Sequence, residues 1–255
     1  MKITIITSNQ PRHNYLINSL SKFSSNLHVI QEVSSHKIYT NKNIKSGNIK
    51  EKYFKKVIRA EKKIFGFQHI KTQKINLLTI PKGDLNNYPL KLINHFLKSN
   101  LYIIFGCSII KGSLLKFLIS KNAINIHMGI SPYYRGTDCN FWALYDENYS
   151  FIGGSVIKLS KKIDAGDILF HSIAKFKQDK FEYTMQSVKT TIDNLISIIE
   201  KNQLHTIKPT KQDLNKTIRK STKKDFNENI IKKFYAKKIS LKNKKKSFKI
   251  NKYII

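Results

Sequence analysis

Residues 123–170 read AINIHMGISPYYRGTDCNFWALYDENYSFIGGSVIKLSKKIDAGDILF, and the order of elements in this stretch decides how the rest of the chain is understood. It opens on an apolar alternation, Ala123 to His127. Asn125 and His127 stand two apart, so on a strand both side chains share one face while Ile124 and Ile126 share the other. A loop with Gly129, Pro132 and Gly136 follows, then a short helical run and a strand over 152–159. A turn on Asp164-Ala165-Gly166-Asp167 leads to a last strand over 168–175. An amide, an imidazole and a carboxylate delivered to one place can bind and protonate a reacting carbonyl.

Working back from this stretch, residues 101–110 (LYIIFGCSII) form a continuous apolar run of the kind found in the middle of a parallel sheet. Residues 111–119 supply the crossover helix. Further upstream, strands are expected over 2–7, 27–33 and 75–80, with helices over 13–23, 50–65 and 89–97 between them. The 50–65 helix carries Tyr53, Phe54, Val57, Ile58 and Ile64 among basic residues, an apolar face for the sheet and a solvated basic one. Downstream, residues 181–199 keep a 3.6-residue period through Phe181, Met185, Val188, Ile192, Leu195, Ile196 and Ile199. This alternation predicts an α/β domain with a mostly parallel, twisted sheet flanked by helices, whose ligands sit outside the carboxyl ends of the strands. After the first strand the chain has Ser8-Asn9-Gln10-Pro11, not a glycine-rich turn. Dinucleotide binding and a P-loop are both unsupported.

The 255 residues carry 47 Lys and Arg against 16 Asp and Glu, a formal charge of +31. A basic field concentrates polyanions. Lys, however, is abundant together with Asn, Ile, Phe and Tyr in stretches of every kind, which favours a compositional origin. Nucleic acid is therefore a partner kept open but not preferred. Residues 208–252 hold 17 Lys and Arg and 3 Asp and Glu, a net +14. They are read as a loosely held basic extension, with a helix over 230–239 and a basic block at Lys242 to Lys246. The expected division is 1–205 for the main domain and 206–255 for the extension. The two cysteines, Cys107 and Cys139, make no disulfide framework, and no Cys/His cluster has zinc spacing, so no metal is expected. The N-terminus lacks a signal-peptide pattern, and Gly106, Lys111, Gly112 and Lys116 interrupt the most apolar window. A cytoplasmic protein without a membrane span is expected.

The trio Asn125, His127 and Asp164 suits attack of an amine on a carbonyl carbon. Asn and His would stabilise the oxyanion, and His with Asp would move protons. No Ser, Cys or Lys is placed as a nucleophile, which favours direct transfer over a covalent enzyme intermediate. Taken singly each residue is weak: a strand His is more often structural, and an Asp before Ala-Gly more often forms a turn.

In combination the pattern is far more specific. Asn125-Ile126-His127, then Pro132-Tyr133-Tyr134-Arg135-Gly136, then Gly154-Ser155-Val156, then Asp164-Ala165-Gly166-Asp167-Ile168-Leu169 resembles the catalytic half of the folate-dependent formyltransferases. That family includes glycinamide ribonucleotide, methionyl-tRNA and nucleotide-sugar formyltransferases. The resemblance implies a Rossmann-like, formyltransferase-like fold, 10-formyltetrahydrofolate as formyl donor, and catalytic roles for Asn125, His127 and Asp164. It further implies that Phe105, Gly106 and Cys107 lie at the pterin pocket and that Pro132, Tyr133, Tyr134, Arg135 and Gly136 border the substrate. Where family members often have Pro-Ser-Leu-Leu-Pro, this chain has Met128-Gly129-Ile130-Ser131-Pro132. The tRNA enzymes usually carry a C-terminal β-barrel, for which about 50 polar residues leave little room. The compact length and the Ser-Pro-Tyr-Tyr-Arg-Gly form look more like members acting on amino sugars of surface polysaccharides. The leading expectation is an N-formyltransferase acting on a nucleotide-linked amino sugar. Formylation of methionyl-tRNA or glycinamide ribonucleotide, hydrolysis of the formyl-folate, and polyanion binding on a degenerate scaffold are the alternatives. A homodimer is one option for the assembly.

Overall fold

In the computed structural model, residues 1–34, 48–71, 74–237 and 239 are described. The expected basic block at Lys242 to Lys246 lies outside them. Nine strands are placed among the described residues. Seven form one sheet in the order β3-β2-β1-β4-β5-β7-β8: β1 Lys2–Ser8, β2 Asn26–Val33, β3 Ile75–Pro81, β4 Leu101–Phe105, β5 Ile124–His127, β7 Gly154–Lys158 and β8 Ile168–Ser172. The remaining two, β6 Tyr134–Gly136 and β9 Arg219–Ser221, pair with each other. β1, β2 and β4 are buried almost throughout, as continuous apolar runs in the middle of a parallel sheet should be. β1 to β5 are joined by parallel pairings, whereas β7 and β8 run antiparallel to their neighbours. The sheet is mostly parallel, and the fold is α/β and Rossmann-like.

Helices cover both faces. Against one lie α1 (Pro11–Leu20), α2 (Ile49–Phe65) and α5 (Lys180–Glu200); against the other lies α3 (Gly112–Ser120) with a short helical run at Leu90–Ile93 and Asn94–Leu97. The starts follow local chemistry. Pro11 opens α1, the Asn48 side chain caps α2 by accepting from the Lys50 amide, and Asp179 accepts from the amides of Phe181 and Glu182 at the start of α5. α2 buries Tyr53, Ala60 and Phe65 and leaves its lysines exposed, as its periodicity predicts.

Two expectations need correction. β4 ends at Phe105, not at residue 110. Gly106 turns the chain with φ +65°, and the amides of Ser108 and Lys111 are taken by distant side chains, the carboxylate of Glu32 on β2 (2.6 Å) and the Asn86 oxygen in the turn after β3 (2.7 Å). The described residues after 205 are packed against the main domain rather than loosely held. Thr210 exchanges both backbone hydrogen bonds with Ile168 at the start of β8, and β9 pairs with β6. Helix α6 (Glu228–Ala236) sends Ile231 and Phe234 into the main core, both fully buried. Phe226 and Phe234 join Tyr53, Phe141 and Phe181 in an aromatic cluster, with Phe226 and Phe234 centroids 4.8 and 5.0 Å from Phe141. Each such ring stabilises the packed state by about 2 kcal/mol through burial alone. Ile231→Val should lower the free energy of unfolding by about 1 kcal/mol in a denaturant titration. No change would mean that the segment does not fold with the core.

Candidate active site

The polar alternation of β5 places the site. Ile103 and Ile104 of β4 are in register with Ile124 and Asn125 of β5. Ile103 and Ile124 belong to the core beneath α1 and α5, and Ile104 to the core beneath α3. Asn125 and His127 therefore lie on the α3 side of the sheet. Two loops close over them: residues 128–136, leaving the carboxyl end of β5, and residues 159–167, joining β7 to β8. Because β7 runs antiparallel to β5, its last residue, Lys158, pairs with Ile124, the first residue of β5. The second loop thus returns over the polar face from the amino end of the strand.

At the meeting point Asp164 is the hub. Its Oδ1 accepts from Asn125 Nδ2 at 3.2 Å, and its Oδ2 accepts from the Gly136 amide at 3.1 Å and faces His127 Nδ1 at 3.5 Å. Asp164 takes a left-handed conformation, φ +50°, which Asp tolerates better than most residues. The three predicted catalytic residues are brought together. His127 is 5% exposed, and its Nε2 donates to the Tyr134 carbonyl at 2.9 Å. A carbonyl can only accept, so Nε2 carries a hydrogen and Nδ1 is the nitrogen left to exchange a proton. Asn125 is half-buried, and one of its two amide hydrogens is engaged by Asp164, leaving the second for another acceptor.

The loop 128–136 is pinned from below. Ser155 Oγ donates to the Gly129 carbonyl (2.7 Å) and accepts from the Ser131 amide (2.9 Å); His171 Nε2 donates to the Ser131 carbonyl (2.9 Å). Most of the residues predicted to border a substrate consequently face inward. Pro132 is buried; Tyr134 is buried with its hydroxyl between Asp146 and Asn148; Arg135 is 7% exposed and donates to the Ile163 carbonyl at 2.7 Å. Tyr133 and Gly136 keep partial exposure. Of the residues expected at a pterin pocket, Phe105 is committed to the core beneath α1, stacked on His13 with centroids 4.5 Å apart. Strand alternation turns it away from the Asn125 face. Gly106 is exposed and Cys107 half-buried. Burial and the nearby Glu32 carboxylate push the Cys107 thiol up to about 12, and burial holds the Cys139 thiol well above its usual range. Neither supplies a thiolate nucleophile near neutral pH.

His171 makes the site's support pH-sensitive. Burial, opposed by the hydrogen bond to Ser131, takes its imidazole from 6.5 down to about 4. Between those values the unfolded chain binds a proton that the folded ring refuses. Stability is then full above roughly pH 6.5 and falls by about 1.4 kcal/mol per unit as pH drops towards 4. The buried His13, lowered by burial and by Arg12, adds a slope of the same sign. Unfolding titrations at pH 7, 6 and 5 should show the decline, and His171→Gln should flatten it; a pH-independent midpoint would contradict the assignment.

Ser155 falls in the Gly154-Ser155-Val156 run of the resemblance, but its bonds to the 128–136 loop, like those of His171 and the Glu32–Asn86 supports of the 106–111 loop, carry no signal in the sequence, because each acts on residues 23 to 76 positions away. Among the described residues no group of three or more His, Cys, Asp or Glu could hold a metal ion, and no helix is long and apolar enough to cross a membrane.

No family model matches the sequence, and no curated protein matches it. Solved structures do. A sugar N-formyltransferase from Shewanella sp. superposes with a TM-score of 0.55 at 17% identity, over 89% of this chain and 78% of that one. The phosphoribosylglycinamide formyltransferase of Anaplasma phagocytophilum gives 0.54 at 14% identity, over 83% and 92%. A formyltransferase from Anoxybacillus kamchatkensis, solved in complex with UDP-4,6-dideoxy-4-formamido-L-AltNAc and tetrahydrofolate, gives 0.53 at 16% identity, over 88% and 87%. At these identities the likeness is one of fold: the chain has a formyltransferase-like fold.

Proposed function

We propose that this protein is an N-formyltransferase that moves a formyl group from 10-formyltetrahydrofolate to the primary amine of a nucleotide-linked amino sugar. The observation that carries the reading is the Asp164 carboxylate, which joins Asn125, His127 and the Gly136 amide on one face of β5 within a formyltransferase-like fold. The neighbour from Anoxybacillus kamchatkensis supports the choice of ligands, since it was solved with a formamido nucleotide sugar and tetrahydrofolate.

A folate fits the residues present. The loop after β4 offers exposed Gly106 and the 56% exposed Ile109, a backbone edge beside an apolar side chain. It is held from behind by Glu32 on the Ser108 amide and by Asn86 on both Ile109 and Lys111. A rigid wall of that kind suits one face of a flat heteroaromatic ring. When bound, the folate supplies the formyl group. The second amide hydrogen of Asn125 donates to negative charge developing on a carbonyl oxygen brought against β5. His127 can exchange a proton at Nδ1 without breaking its bond to Tyr134, and the Asp164 oxygen 3.5 Å away holds that edge of the ring in place. With both cysteines protonated, direct attack by the amine is favoured over a covalent enzyme intermediate.

The test is incubation of the purified protein with 10-formyltetrahydrofolate and a panel of amino-sugar nucleotides, with products read by mass spectrometry. A formamido sugar is the expected product. A folded protein that formylates no member of the panel would overturn the substrate class. Formylation of tRNA instead, with steep loss of activity as salt rises, would identify a polyanionic acceptor.

A further inference from the structure

The chain between Thr210 and Ser221 touches both loops that build the site. At its start, Thr210 is tied to Ile168 by paired backbone bonds of 2.8 Å, which brings Gln212 under the 159–167 loop. Gln212 is 8% exposed, and its Nε2 donates to the carbonyls of Asp164 (3.1 Å) and Gly166 (2.5 Å). Two carbonyls can only accept, so the orientation of the amide is fixed. Its oxygen is buried and has no hydrogen-bond partner among the described residues, a destabilising arrangement unless the two donated bonds are what the residue is for. Further along, the amides of Ile218 and Arg219 donate to the Tyr133 carbonyl (2.9 and 3.0 Å), and β9 then pairs with β6. Ser221 Oγ donates to the Thr137 carbonyl, and Arg219 makes a two-pronged pair with Asp146, whose carboxylate also receives the Tyr134 hydroxyl. One continuous strap thus holds the Asp164–Gly166 turn and the loop whose Tyr134 carbonyl and Gly136 amide contact His127 and Asp164.

We infer that Gln212 is a positioning residue for Asp164, and that the 210–221 strap sets the distance between Asp164 and the His127 loop. The inference rests on the formyl-transfer reading for its kinetic consequence but not for its geometric one. Asp164 is in a left-handed conformation directly after three exposed residues, Lys161, Lys162 and Ile163. Without the two bonds to its own carbonyl and that of Gly166, the turn has more than one arrangement available. The carboxylate would then be shared less often by Asn125, Gly136 and His127.

The deciding variant is Gln212→Met, which keeps the side chain's length and removes both its donors and its unpartnered oxygen. A merely structural glutamine predicts unchanged kinetics with a lowered melting temperature, because the Asp164 and Gly166 carbonyls lose their donor. A positioning role predicts kcat down by about 100-fold with the KM for amine and folate within about threefold, because the misplaced group acts in the reaction more than in binding. Gln212→Glu, which puts a carboxylate against two carbonyls, should behave alike, and Lys211→Ala, on an exposed neighbour, should match wild type. An arm independent of activity is hydrogen exchange of the Gly136 amide, whose acceptor is Asp164 Oδ2. It should exchange about tenfold faster in Gln212→Met, while amides of β1 and β4 are unchanged. Wild-type levels of both kcat and Gly136 exchange would overturn the inference. A wild-type protein inactive on every amine would sink the proposed function, and the exchange arm would still decide the role of Gln212.

Discussion

Asp164→Asn is expected to cut formyl transfer on the order of 10³-fold, the usual range for loss of an acid–base pair, while the protein still folds. The size of the effect follows from what the carboxylate does. Its two oxygens accept from two donors, the Asn125 amide and the Gly136 N–H, and one of them also faces His127 Nδ1. An asparagine has one oxygen and one NH2. Whichever way it is turned, the NH2 meets either the Asn125 amide or the Gly136 N–H, donor against donor. One partner is left without an acceptor, at a cost of about 1–3 kcal/mol, and the negative charge beside the imidazole is gone. Initial rates with saturating amine and folate, together with a thermal melt, separate the two consequences. Activity within tenfold of wild type would remove Asp164 from the mechanism. His127→Ala should give a loss of similar size without the donor conflict, so the melts of the two variants should differ more than their rates.

Much of this site was legible in the chain, and the legible part has a common physical origin. Asn125 and His127 are two apart on a strand, and the period of a strand alone aligns them. Asp164 sits before Ala-Gly, a sequence that turns. The helix over 180–200 shows its buried face in a 3.6-residue period, and β1, β2 and β4 show theirs as unbroken apolar runs. What could not be read was direction and distance. Nothing in residues 152–175 says that β7 runs antiparallel to β5, although that reversal is what carries Asp164 back over the polar face. β4 stops five residues short of the end of the apolar run, and the Ser108 and Lys111 amides beyond it are taken by Glu32 and Asn86 through contacts that no local pattern reports. The same holds for the tail. Phe226, Ile231 and Phe234 are spaced among lysines and look sparse, yet Ile231 and Phe234 fall on the buried face of α6 and, with Phe226 just before it, meet an aromatic cluster gathered from α2, the 139–145 helix and α5. The resemblance implies that Phe105 lies at a pterin pocket, whereas strand alternation turns its side chain to the face opposite Asn125.

Gly136→Ala tests whether the tail and the site are mechanically one unit, and it is expected to destabilise the protein by about 2–5 kcal/mol. Two independent faults add. Gly136 has φ +93°, a conformation that costs a residue with a Cβ about 1–2 kcal/mol. A Cβ there would also overlap the backbone carbonyl of Ser221, on the strand that Gly136 pairs with, and such overpacking costs a further 1–3 kcal/mol. The obstacle is backbone, so no side chain can rotate away, and relief requires β9 to leave β6. That separation would pull the Gly136 amide off Asp164 Oδ2 and loosen the Tyr134 carbonyl from His127. The variant should therefore lose stability and activity together, with amide exchange rising at both 134–137 and 219–221 and remaining at wild-type rates in β1 and β4. A drop in activity with β9 still protected would show that the alanine disturbs only the loop. A destabilised protein of normal kcat would show that the strap supports the fold without setting the site.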